Sequence, residues 1–102
     1  MIDEKRIRQV IQRAMERVNE AQPDDLKLEF SDSEVFYGPG GKLDSIGLIQ
    51  LIGALEDEVR KEFSAEVAVA DENVLTQGGK ALSNIPSLVE HLRNLLRKAG
   101  YE

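Results

Sequence analysis

At 102 residues, 41% of them hydrophobic, the chain has material for one modest core and is too short for a dinucleotide-binding α/β domain, a barrel or a two-domain enzyme. The absence of cysteine and the presence of one histidine, His91, exclude disulfides, thiolate metal sites, iron–sulfur clusters and histidine-rich metal centres, and argue against a Ser-His-Asp triad. Thirteen bases against nineteen acids leave a formal charge of −6, which disfavours nucleic-acid binding because neutralising phosphates takes a clustered basic surface.

In chain order, the first element is a helix over about residues 3–20. Ile7, Val10, Ile11, Ala14 and Val18 fall on one face at three- and four-residue steps. Asp3 is placed to cap it, and Ile2 to staple onto Ile7. Pro23 and Asp24-Asp25 stop it.

Residues 21–43 read as a long loop laid over the other elements, with Leu26, Leu28 and Phe30 tucked down because no second strand is available to pair with them. Gly38-Pro39-Gly40-Gly41 makes a turn before the next helix. A phosphate loop is excluded there. Phe36 stands where its first glycine belongs, and Leu43 where the hydroxyl residue after Lys42 belongs.

The second helix spans about 44–63, with Leu48, Leu51, Ile52, Leu55, Val59 and Phe63 as its core stripe. Ile46 and Ile49 stand off that stripe, so this end is either buried on several sides or keeps an apolar face for a ligand or partner. Gly47 implies a close approach to the backbone one turn in. Farther along, Glu56 and Asp57 are spaced to pair with Arg60 and Lys61 at i,i+4.

A short helix is expected over about 71–76, ended by Gln77-Gly78-Gly79. The last helix runs over about 84–99. Asn84, or Ser87 with Glu90, would cap it, Leu88, Val89, Leu92, Leu95 and Leu96 form its buried face, and Gly100 stops it. The fold class is therefore all-α: one domain over residues 1–102, with three main helices and one short one in a small bundle. No run reaches the ~18 apolar residues of a membrane span, and Met1–Arg8 is too charged for a signal peptide. A cytoplasmic protein not inserted in a membrane is expected.

Charge is uneven along the chain. Residues 1–18 and 73–102 each carry +2, residues 19–43 carry −4 and residues 44–72 carry −6. The acidic middle suits a basic protein partner, or merely keeps the domain soluble.

With no cysteine, chemistry must rest on hydroxyls or carboxylates. His91 is expected on a polar helical face, in a surface role. The remaining candidate is Ser45, which follows Asp44 at the head of the second helix. One reading makes either residue a simple helix cap. The other makes Ser45 an attachment point for a phosphodiester, whose charge the open N–H groups and the positive dipole end would stabilise.

Leu43-Asp44-Ser45-Ile46, with Leu51 and then Leu55-Glu56 ten and eleven residues after the serine, resembles the acyl carrier protein family. The order of elements is similar too, including a last helix that opens Ile85-Pro86-Ser87-Leu88. The resemblance implies a four-helix bundle of acyl-carrier type and a carrier rather than an enzyme. In that reading a phosphopantetheinyl transferase attaches 4′-phosphopantetheine, taken from coenzyme A, to Ser45. The arm then holds acyl or aminoacyl groups as thioesters for the enzymes of a fatty-acid, polyketide or other specialised pathway.

Asp44 would present the site to the transferase. Ile46, Gly47, Leu48 and Ile49 would line an acyl groove or dock on partners, and Glu56 would be an acidic contact. No metal is implied, and a monomer is the simplest expectation.

The sequence departs from the family pattern in places. Gly47 and Gln50 stand where fatty-acid carriers have acids, Val59 where an aromatic is usual, and residues 64–83 form a longer connection. These departures point to a stand-alone carrier for a dedicated pathway. The alternative is a small acidic helical interaction module without a prosthetic group. A hydrolase using Ser45 lacks a base and an oxyanion hole.

Overall fold

A computed structural model describes residues 2–70 and 80–101. Helix α1 spans Glu4–Asn19, α2 Ser45–Phe63 and α3 Ile85–Lys98, with 3₁₀ turns at Asp24–Leu26 and Lys80–Leu82. Among the described residues there is no strand. The short helix expected over about 71–76, and Gln77-Gly78-Gly79 after it, lie outside those residues.

The helix ends follow local chemistry. Asp3 accepts from the Lys5 N–H at the start of α1. Asn84, not Ser87, caps α3 by accepting from the Ser87 N–H at 2.9 Å, with Pro86 in the first turn. Helix α2 ends at Ser64, which takes the left-handed conformation (φ 54°) and donates its N–H to the Arg60 carbonyl. Beyond α3, Gly100 adopts φ 83°, as a chain reversal there requires.

Burial follows the hydrophobic stripes. Ile7, Val10, Ile11, Ala14 and Val18 of α1 meet Leu48, Leu51, Leu55, Val59 and Phe63 of α2 and Leu88, Val89, Leu92 and Leu96 of α3 in one core. Met15 joins them, and Ile52 packs half-buried at the margin. Helix α1 is the shared wall, packing along α2 and, less extensively, along α3. The radius of gyration, 12.7 Å, matches the ~13 Å of a compact domain of this length.

The long loop departs from expectation. Leu28 is buried, but Leu26 and Phe30 remain 40% and 43% exposed. The Asn19 side chain pins the middle of the segment, accepting from the Leu28 N–H at 2.7 Å and donating to the Leu28 carbonyl at 2.9 Å. Leu26 instead closes the 3₁₀ turn and the chain bends at Phe30, so the three do not share the single face that one extended run would give them. Nearer α2, Phe36 is fully buried, donates its N–H to the Ser83 carbonyl and accepts from Leu43 N–H at 2.9 Å. The turn between them requires Gly41, where a Cβ would stand 2.8 Å from the Tyr37 backbone. This turn delivers Leu43 to the core and Asp44 to the head of α2.

Candidate functional site

The head of α2 is built by Leu43 and Asp44. Leu43 is buried and anchors the chain. Asp44 Oδ1 then accepts the Gly47 N–H at 2.7 Å, while the Asp44 carbonyl accepts the Leu48 N–H at 2.9 Å. Asp44 is thus the cap, and Ser45 is the first helical residue. The Ser45 side chain is exposed, and no described residue hydrogen-bonds its hydroxyl. The Ser45 and Ile46 amides are unpaired among the described residues, so the positive end of the helix opens beside the hydroxyl.

The other expected site residues separate. Ile46 and Ile49 face outward, 68% and 67% exposed. Leu48 belongs to the core. Gly47 is buried because the Leu43 side chain lies 3.1 Å from where its Cβ would be, and the Asp44 carboxylate 3.4 Å away. The close approach at Gly47 thus comes from the two residues that make the cap.

Glu56 does not pair with Arg60. Its Oε2 accepts the N–H of buried Val69 at 2.9 Å, and Arg60 turns instead to Asp57. The Val69 carbonyl is held from the other side by His91 Nε2 at 2.6 Å. The lone histidine, expected at the surface, is half-buried, and with Glu56 it fastens the segment that follows α2.

The remaining acids of α2 face α1. Arg17 contacts Asp57 at 2.8 Å and Glu58 at 3.1 Å, Arg13 contacts Glu62 at 3.0 Å, and Arg6 contacts Glu62 at 2.9 Å. The Arg17 hydrogen bond holds the Asp57 carboxyl below its ordinary value, and the Arg6 hydrogen bond does the same for Glu62. Arg6 also donates to Tyr101 Oη and lies 4.5 Å from the centre of the Phe63 ring, which Tyr101 meets edge-on.

These pairs join residues 40 to 56 positions apart, beyond the reach of helical spacing rules. The only sequence signal for them was the basic charge of residues 1–18 beside the acidic charge of residues 44–72. Exposed acids concentrate instead at the end of α1 and in the long loop, at Glu20, Asp24, Asp25, Glu29 and Asp32.

One end of α2 therefore offers an accessible hydroxyl, two open backbone donors and two exposed isoleucines. No protein-family model, curated protein or solved structure matches this chain.

Proposed function

We propose that the protein is a carrier of acyl-carrier type, modified with 4′-phosphopantetheine on Ser45. The observation that carries this reading is the exposed Ser45 side chain at the first position of α2, directly after the Asp44 cap. The site fits the group. The hydroxyl is accessible, no described side chain ties it down, and the open amides beside it suit a phosphodiester charge. The attached arm would supply a terminal thiol for carrying acyl or aminoacyl groups as thioesters, chemistry that a chain without cysteine lacks.

The chain's own residues orient the attachment. In the transfer, Ser45 Oγ forms a bond to the β-phosphorus of coenzyme A. The pyrophosphate P–O bond breaks, 3′-phosphoadenosine 5′-phosphate leaves, and the serine proton passes to a base of the transferase. Asp44 Oδ1 takes the Gly47 N–H and leaves the Ser45 and Ile46 amides facing that approach. Ile46 and Ile49 form the apolar surface next to the attachment point, and loading and transferring enzymes would meet the carrier there.

The test is to incubate the protein with coenzyme A, Mg²⁺ and a broad-specificity phosphopantetheinyl transferase and measure its intact mass. Gain of one phosphopantetheinyl group, absent in Ser45→Ala, is the expected result. Failure with several transferases would leave the outward isoleucines as the surface of a helical interaction module without a prosthetic group.

A further inference from the structure

The surface that α2 presents is not acidic. Apart from Ser45, its exposed residues are Ile46, Ile49, Gln50, Gly53, Arg60 and Lys61. Ile46, Ile49, Gln50 and Gly53 share one face at three- and four-residue steps, and the same face continues through Asp57 to Arg60 and Lys61.

Around Asp57 the cations reach farther out than the carboxylates they pair with. The Arg17, Arg60 and Lys61 side chains are 45%, 57% and 63% exposed, against 27% for Asp57 and 7% for Glu58. Three bases meet two acids, so the face ends in net positive charge on a chain of net −6. Beside this face lies a hollow of ≈390 Å³ lined by Arg17, Val18 and Ala21 of the first helix region and Gln50, Gly53 and Ala54 of α2, and nothing stands within 4 Å of a Cβ added at Gly53.

We infer that this face docks a partner protein that offers an apolar pocket to Ile46 and Ile49, bordered by carboxylates that meet Arg17, Arg60 and Lys61. Charge complementarity selects this occupant. A basic partner would set cation against cation at the far end. A second copy would match the face to itself and bring Arg60 and Lys61 against either like charges or the isoleucines. Burial of the two isoleucines excludes water at the centre, while the exposed ion pairs at the rim set orientation and approach rate more than affinity. The inference stands whether or not Ser45 carries a group.

The test uses the full chain, labelled with ¹⁵N, and two helical peptides that share one leucine stripe, flanked by glutamates in the first and lysines in the second. The glutamate peptide is expected to shift the amide resonances of Ile46, Ile49, Gln50 and Gly53 and to bind at least about tenfold tighter than the lysine peptide, a preference that narrows as salt rises. Ile46→Ser with Ile49→Ser should abolish binding, and Arg60→Glu with Lys61→Glu should reverse the preference. All four side chains are exposed, and circular dichroism checks that the variants fold.

Ser45→Ala should change none of these results, which separates this surface from the attachment site. Equal binding of the two peptides, preference for the lysine peptide, or no shifts on α2 would overturn the inference. So would adsorption to vesicles rich in anionic phospholipid that the double isoleucine variant loses, since that would assign the face to a lipid surface.

Discussion

Asp44 and Ser45 divide the work at the head of α2, and the two roles separate by substitution. Asp44→Ala removes the acceptor for the Gly47 N–H and should cost about 1 kcal/mol in denaturant unfolding. Asp44→Asn keeps an acceptor oxygen and should stay within a few tenths of that stability. If the carboxylate itself presents the site to a transferase, the Asn variant will fold normally yet be modified more slowly.

Val69 poses a similar question on the far side of α2. Its N–H and carbonyl are held by Glu56 and His91, so Glu56→Ala strands a buried donor and should cost about 1–2 kcal/mol. Glu56→Gln, which still presents an oxygen, should recover most of the loss in thermal or denaturant unfolding. The same geometry places the proton of a neutral His91 on Nε2, because the Val69 carbonyl only accepts.

At the scale of the elements, two glycines before and within α2 make opposite demands. Gly41 sits where a Cβ would meet the Tyr37 backbone at 2.8 Å, so Gly41→Ala should destabilise by about 1–3 kcal/mol as the turn shifts to relieve the overlap. Gly53 lies mid-helix with open space above it, and Gly53→Ala should stabilise by up to ~1 kcal/mol through helix propensity alone. A pair of denaturation curves distinguishes them by sign. Helix pairing is equally asymmetric. Helix α1 supplies arginines to α2 at three levels, Arg6, Arg13 and Arg17, and these contacts take up the acids α2 would otherwise show to solvent. Ile46 and Ile49 take no part in that packing, so serine at either position should change stability by less than about 0.5 kcal/mol.

Across the whole molecule, the carboxylates paired with arginines contribute to the response to pH. Asp57 and Glu62 are held below their ordinary values of 3.8 and 4.5, mainly by Arg17 and Arg6, and Glu4 is held below 4.5, mainly by Arg8. A carboxyl whose folded value is depressed binds fewer protons in the folded state. Its contribution is therefore complete above the unfolded value and lost as pH falls through the folded one. Stability should hardly change on these groups' account from pH 7 to about 5, then decline with acidification from about pH 4.5 downward. Arg6→Gln should reduce the acid-side slope by removing the main cause of the Glu62 depression. Urea midpoints measured across pH 3–7 for both proteins check this, and an acid-side slope left unchanged by Arg6→Gln would contradict it.

The helices were legible because their signals are local. Apolar residues at helical spacing, Asp3 as a cap and Gly100 as a stop depend on residues within a turn or two of each other, whereas Asp44 over Ser45 and Asn84 over Ser87 were choices the sequence left open. Ser45 was legible as a residue at the head of its helix for the same reason, and the structure adds that it is exposed. What the tertiary structure decided was every pairing between distant segments. Asn19 took the backbone of Leu28, which is buried while Leu26 and Phe30 are not. Glu56 went to Val69 rather than Arg60, and His91 to the same residue. The arginines of α1 turned an acidic stretch of sequence into a helix whose outer face is apolar and cationic. The physical reason is one of reach: periodicity reports which face a side chain takes on its own helix, whereas charge on a surface is what remains after neighbours tens of residues away have paired with it.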